Sequence, residues 1–330
     1  MEDNLHQAPS TPSQVDTGDA AASTAASTAA STAAAASATK YLSDLFTTTI
    51  HNIYYDPIIL PVSAACTLLQ LISTMYFARL APSGGPWKDT AIFSAKQVVI
   101  MIMMIAQSVL GILYWFYHRN DDDVREKGGV LISRLVLGSL LHDIPAGILS
   151  GSVDTLMHVH HAGMFLVATI CSGYWSSGEP ILAQFAPFFF GVIELSSIPL
   201  IVVDALHPHK QPHWHSYHLT KPWLVKLNWI CRILFATSYI VLRVVYFPWV
   251  VVMQVLPYSM ELLQEESHKQ HALPVEIIMI MSILFVMLQL HWGRLVIRQV
   301  QKALKGDDEN KENKVKKGGN KGDPPKIKAV

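Results

Sequence analysis

Seven apolar segments alternate with shorter polar stretches along most of the chain. A transmembrane helix requires about 20 mostly apolar residues. Hydropathy predicts membrane-spanning helices over residues 57–80, 92–117, 130–152, 155–175, 181–204, 229–256 and 273–299. Tyr and Trp side chains lie near many of the segment ends, as is typical of a membrane interface. The pattern therefore predicts an all-α polytopic membrane protein with about seven transmembrane helices.

The composition agrees with a membrane protein. Of the 330 residues, 51% are hydrophobic and 15% are charged, whereas a soluble domain carries about 25% charged residues. The three cysteines, Cys66, Cys171 and Cys231, all fall inside apolar segments. We therefore interpret them as packing residues and not as a disulfide framework.

The two ends of the chain differ from the apolar part. Residues 1–56 contain a run of only Ala, Ser and Thr from 20 to 39, which we interpret as a disordered segment. Residues 57–89 would form the first transmembrane helix and a loop, and residues 90–300 the main transmembrane domain. Residues 301–330 hold many of the lysines and are predicted to be a cytosolic tail.

Basic residues also predict an orientation. The loop 205–228 falls on the same side as the lysine-rich tail, whereas the loop 118–129 carries three basic residues on the opposite side and argues against this scheme. An odd number of spans would place the N-terminus outside. Lys326 and Lys328 resemble the dilysine signal for retrieval to the endoplasmic reticulum. We thus expect a protein of that membrane with a cytosolic C-terminus.

The stretch 154–165, DTLMHVHHAGMF, is the strongest candidate for a functional site. In a helix, Asp154, His158 and His161 would share one face, and His160 would point elsewhere. Ionisable side chains are rare in membrane helices and usually face a partner or a wet cavity. These histidines are therefore predicted to line an internal site.

Further charged residues fall near the middle of their spans. Each unpaired charge there costs about 2.5–3.5 kcal/mol on insertion scales, so several at similar depth indicate pairing or a wet interior. Two interpretations are open: a polar chamber, or buried ion pairs between helices, such as Arg243 with Glu194 or Asp143. The chamber would be lined by Asp143, His160, His161, Glu194, Arg243 and His291.

Other chemical classes are disfavoured. The histidine spacing lacks the H-x-x-x-H and H-x-x-H-H boxes of membrane di-iron oxygenases, so no metal site is predicted. The loop HPHKQPHWHSYH at 207–218 is interpreted as interfacial. No G-x-S-x-G motif or Gly-rich phosphate loop occurs, and nothing suggests a nucleic-acid partner. No cofactor is expected.

Three features together resemble the TLC domain. They are Asp143, the pair His160–His161 preceded by Met157 and Val159, and the sequence ELSSIP at 194–199. The TLC domain is shared by ceramide synthases, translocating-chain-associated membrane proteins and the TLC-domain-containing proteins, and the last group is the most similar. The resemblance covers about 90–300. It implies a TLC-type helical barrel around a lipid-accessible cavity with the histidine pair at its centre.

The resemblance implies two lipid functions. The first is lipid binding in the cavity and regulation of membrane lipid composition. The second is a lipid acyltransferase of ceramide-synthase type with acyl-CoA as co-substrate, in which His160 or His161 acts as base or acyl acceptor. Asp143 or Glu194 would orient the histidine, and Arg243 would compensate the charge. The sequence PFFFGVIE before Glu194 lacks both aspartates of the ceramide-synthase motif H-D-x-x-D-x-x-L-E.

A third alternative is a cargo receptor or translocation accessory of the endoplasmic reticulum, which would use the basic tail. Membrane lipids are the expected partners. Protein cargo and a second copy of the chain are further alternatives.

Overall fold

The computed structural model describes residues 17–80, 85–150, 155–175, 178–208, 210–264 and 272–318. Within these ranges the chain is helical and contains no strand. Asp154, Lys326 and Lys328, which the sequence singles out, lie outside the described residues. The chain divides into two compact units, residues 1–50 and 51–330. All contacts described below belong to the second unit.

The first helix, α1, covers Thr17–Tyr55. The sequence analysis predicted disorder over residues 1–56, whereas the structure describes residues 17–55 as helical. Alanine has the highest intrinsic helix propensity, and the run 20–39 is rich in it.

Eleven further helices follow among the described residues. They are α2 (Ile59–Met75), α3 (Ala91–Ile112), α4 (Asp122–Ser150), α5 (Thr155–Cys171), α6 (Ala186–Phe190), α7 (Ser197–Ala205), α8 (Pro212–Leu219), α9 (Pro222–Tyr239), α10 (Phe247–Val250), α11 (Leu256–Gln264) and α12 (Ala272–Gly318). Short π-helical turns prolong α2 and α3 and join α9, α10 and α11 into one long helix.

Six helical stretches in the described chain are long and apolar enough to cross a membrane. They are Ile59–Arg79, Ala91–Tyr117, Asp122–Ile148, Ala183–Ala205, Pro222–Gln264 and Ala272–Lys302. The prediction of an all-α, multi-pass membrane protein is thus confirmed. The count of seven is not, because the fourth predicted span is represented by the 17 residues of α5. At 1.5 Å per residue this helix is about 25 Å long, less than the hydrocarbon core of about 30 Å.

The stretch Ala183–Ala205 is a broken helix. A 3₁₀ turn precedes α6, Gly191 ends it, and a second 3₁₀ segment, Val192–Ser196, leads into α7. Gly191 crosses Gly111 of α3 so closely that a Cβ on Gly111 would lie 2.5 Å from the Gly191 Cα. The interruption places Glu194 within the second 3₁₀ segment, where its side chain is buried.

Asp56 joins three elements at one end of the bundle. Its carboxylate accepts hydrogen bonds from the backbone N–H groups of Ile58 and Ile59 at the start of α2. It also accepts a hydrogen bond from the Tyr174 hydroxyl, beyond the end of α5, and lies 3.5 Å from Arg134 of α4. Helix α5 therefore ends at the same end of the bundle at which α2 begins.

Candidate functional site

A cavity of about 2230 Å³ lies between the spans. Its wall includes residues of α2, α3, α4, α5, α7, α9 and α12, together with the long helix beyond α9. Five residues that the sequence proposed for a chamber line this cavity: Asp143, His160, His161, Glu194 and Arg243. The structure therefore brings residues from four separate parts of the chain to one cavity.

Arg243 forms a buried network with the sequence ELSS. It lies in the π-helical segment Ile240–Tyr246, and only 5% of its surface is exposed. Its Nε donates to Ser196 Oγ at 2.7 Å, and its Nη2 contacts Ser197 Oγ at 2.9 Å and Glu194 Oε2 at 3.1 Å. Ser197 also donates to Glu194 Oε2 at 2.6 Å. Of the two partners that the sequence left open for Arg243, the structure pairs it with Glu194.

Asp143 lies between a lysine and a histidine. Its Oδ1 is 3.2 Å from Nζ of Lys96, and its Oδ2 is 3.5 Å from Nδ1 of His161. Lys96 is 2% exposed and lines the cavity near the start of α3. The sequence analysis missed Lys96. A lysine inside an apolar segment is itself a signal of a buried partner, and that signal was present.

His160 is enclosed by aromatic rings. Its imidazole centroid lies 5.3 Å from Phe285 and 5.6 Å from Trp292, both in α12. The side chain is buried, and within the described part of the chain its Nδ1 has no hydrogen-bond partner. The His161 ring lies 5.9 Å away. The two adjacent histidines therefore have different surroundings, one apolar and one beside a carboxylate.

The cavity-facing side of α5 differs from the predicted one. Met157, His160, His161 and Met164 line the cavity, at the i, i+3, i+4 and i+7 spacing of one helix face. His158 is half-buried and lies outside the cavity wall, although it shares one side of α5 with His161, as predicted. The sequence could not give the rotation of α5, because apolar residues surround the histidines on every side.

His291 is also misplaced in the predicted chamber. It is exposed on α12, and its neighbour Trp292 lines the cavity instead. One residue along a helix corresponds to a rotation of about 100°, enough to move a side chain from the cavity to the outer face.

The histidine-rich loop serves as a structural element at one edge of the cavity. His215 Nδ1 and His218 Nδ1 lie 3.0 Å and 2.5 Å from the carbonyl oxygens of Leu206 and His215. The Trp214 indole donates to Thr90 Oγ1 at 2.9 Å and joins α8 to the start of α3. In the described ranges no group of three His, Cys, Asp or Glu side chains could hold a metal ion.

The arrangement combines neutralised charge with a large empty volume. Glu194 and the partly buried Asp143 each have a cationic neighbour, so the centre of the cavity carries little net charge. Around it the wall is mostly apolar, with side chains such as Met103, Met104 and Phe235. Such a cavity suits an amphipathic molecule. No family model, curated protein sequence or solved structure matches this chain.

Proposed function

We propose that the protein binds a membrane lipid in this cavity and thereby regulates the lipid composition of its membrane. The volume of about 2230 Å³ is the observation that carries this proposal. It is more than twice the roughly 1,000 Å³ at the upper end of ordinary small-molecule pockets. Long acyl chains would fill such a cavity. The helices around it would already be in contact with the bilayer, which supplies the lipid.

The polar centre supports the same function. Polar groups at membrane depth usually mark a ligand pathway, and the hydroxyls of Ser196 and Ser197 lie beside the Arg243–Glu194 pair. A lipid could exchange hydrogen bonds with these groups and with the histidine pair. The resemblance of Asp143, His160–His161 and ELSSIP to the TLC domain also favours a lipid ligand.

A cavity-filling variant tests lipid binding. Ala236 of α9 lines the cavity, whereas Ile233 on the same helix is exposed and lies outside the wall. Lipid mass spectrometry of the purified chain should find bound lipid in the wild type and in Ile233→Trp. It should find much less in Ala236→Trp, because the indole occupies the space of the ligand. Wild-type protein free of bound lipid would refute the proposal.

Acyl transfer is a second candidate, and one observation favours it. The 3.5 Å approach of Asp143 to His161 places a carboxylate where it could orient a neutral imidazole. In the proposed step the histidine takes a proton from the hydroxyl or amine of an acceptor lipid. The acceptor forms a bond to the acyl carbonyl of acyl-CoA, the thioester bond breaks, and coenzyme A leaves as the thiol.

Product analysis separates the two functions. The purified wild type and His160→Ala/His161→Ala would be incubated with acyl-CoA and with long-chain base and lysophospholipid acceptors. Acyl transfer predicts a new acylated lipid from the wild type alone, with both proteins folded. Bound lipid without product from the wild type would remove the catalytic function and leave lipid binding.

We also place the protein in the endoplasmic reticulum membrane with its C-terminus in the cytosol. The resemblance of Lys326 and Lys328 to a retrieval signal supports this location. Replacing both lysines with Ser should shift the protein to later compartments in fluorescence microscopy. Retention of the wild-type location would mean that these lysines do not determine it.

A further inference from the structure

Unpaired cations lie along one edge of the cavity. Lys88, Arg232 and Lys302 line it and are exposed, and none has an acidic partner within hydrogen-bonding distance among the described residues. They come from the loop before α3, from α9 and from α12. A fourth cation there, Lys210, is bound to Asp204 at 2.8 Å.

The cavity wall is positive overall. Lysine and arginine contribute six of its residues, and aspartate and glutamate contribute four. The inner acids are paired with Lys96 and Arg243. Of the four acids in the wall, Asp89 is the one without an ion pair among the described residues, against three such cations. A ligand with negative charge at one end would therefore balance the excess.

Two of the unpaired cations, Arg232 and Lys302, are well separated from the polar centre. Arg232 precedes Arg243 by eleven residues, and Lys302 follows Trp292, the neighbour of His160, by ten. At 1.5 Å per residue, each separation is about 15 Å along its helix. Apolar residues of the wall, including Phe235, Leu295 and Val296, lie between the two levels. A lipid has the same order of groups, because its charged headgroup is followed by apolar acyl chains.

We propose that the cavity ligand is a phospholipid with a net negative headgroup, and that Lys88, Arg232 and Lys302 balance the net charge of this headgroup at the cavity edge. This inference rests on the proposed lipid-binding function and adds the ligand class. Basic residues at a membrane surface attract anionic lipids, and residues 303–330 add eight lysines against five acidic residues. A lipid held in this way presents its acyl chain, and not its ester bonds, to His160 and His161.

A pair of matched variants tests the proposal in the full-length protein. Lys88→Gln/Arg232→Gln/Lys302→Gln removes the three edge cations. The control variant, Lys221→Gln/Lys226→Gln/Arg298→Gln, removes the same number of positive charges. Its three positions are exposed and lie outside the cavity wall, in the loop before α9, in α9 and in α12. Each protein is placed in nanodiscs of phosphatidylcholine with an equal share of phosphatidylserine, re-extracted, and its retained lipid measured by mass spectrometry.

The wild type and the control triple should retain phosphatidylserine in preference to phosphatidylcholine. The edge triple should lose this preference by on the order of a hundredfold, because each of the three cations near a membrane surface contributes about fivefold, while still retaining phosphatidylcholine. Equal loss in both triples would show a general surface-charge effect and overturn the inference. Displacement of the bound lipid by soluble glycerophosphate would show a site for a free anion, and would also overturn it.

The outcomes also separate this inference from the function beneath it. Retention of lipid without any headgroup preference in the wild type would refute the anionic ligand and leave lipid binding intact. Retention of no lipid by the wild type would refute both.

Discussion

At the scale of single residues, Arg243 is the group whose loss should cost most. Its guanidinium is buried and contacts Glu194, Ser196 and Ser197. Arg243→Met leaves the Glu194 carboxylate without its cation in a buried site. Removing one partner of a buried ion pair costs about 3–5 kcal/mol, so we expect a loss of that size in the free energy of unfolding, measured in mixed detergent micelles.

The double variant is the control for this prediction. Arg243→Met/Glu194→Gln removes the uncompensated charge and should recover a large part of the lost stability, because replacing both members of a buried pair is often close to neutral. A double variant as unstable as Arg243→Met would show that packing around the arginine, and not its charge, determines the loss.

Lys96 allows a comparison between a buried and an exposed ion pair. Lys96→Met leaves Asp143 beside His161 alone and should reduce the free energy of unfolding by about 3 kcal/mol. Lys127→Met breaks the exposed pair with Asp123, 2.6 Å apart, and should change stability little, because solvent screens surface charges. Similar losses in thermal unfolding of the two variants would contradict the assignment of Lys96 to the buried centre.

The same residues show how far sequence reasoning reaches at this scale. Asp143, Glu194 and Arg243 stood out because charge inside an apolar segment is costly, and all three line the cavity. Lys96 was missed because a lysine near the end of a span is usually assumed to extend to the interface. His158 and His291 lie outside the cavity wall, because spacing along the sequence does not give the rotation of a helix relative to its neighbours.

At the scale of helices, the crossing of α3 with the broken helix should tolerate no added side chain. A Cβ on Gly111 would lie 2.5 Å from Gly191 Cα and 2.6 Å from the Gly191 carbonyl carbon. Both are backbone atoms, so a helix must move. Overpacking of this kind typically costs about 1–3 kcal/mol, and Gly111→Ala should lower the midpoint of thermal unfolding.

Val109→Ala is the matched control for that change. Val109 lies on the same helix with 59% of its surface exposed, so its truncation should leave the midpoint nearly unchanged. An unfolding midpoint of Gly111→Ala equal to that of the wild type would mean that the two helices do not cross at this glycine.

The sequence predicted the helices better than their internal form. Long apolar runs indicate where a helix crosses a bilayer, and six such helices occur. They do not reveal where it breaks. Gly191 lies between Pro187 and Pro199. Because Gly and Pro often interrupt helices, these residues could have suggested the break in the predicted span 181–204. The π-helical turn that carries Arg243 has a comparable signal in Pro248, which lies just after it and, inside a continuous helix, removes a backbone hydrogen bond.

At the scale of the whole membrane domain, contacts define two opposite ends. Trp214 and Trp87, whose rings lie 4.5 Å apart, join the loop 206–221 to the start of α3. The opposite end contains Asp56 with Tyr174. Helix α3 runs away from the first end, so the loop 118–121 after it belongs to the second. The anionic-lipid proposal requires the first end to face the cytosol, where anionic lipids are concentrated.

Labelling of engineered cysteines tests this orientation. Asn120 and Lys221 are exposed at the two ends, and the three native cysteines are buried. A membrane-impermeant maleimide added to sealed microsomes, whose outer surface corresponds to the cytosol, should label Lys221→Cys and spare Asn120→Cys. Detergent should make both accessible, and the wild type gives the background of the native thiols. The reverse pattern would place the cavity edge in the lumen, where the anionic headgroups of the cytosolic leaflet could not reach Lys88, Arg232 and Lys302.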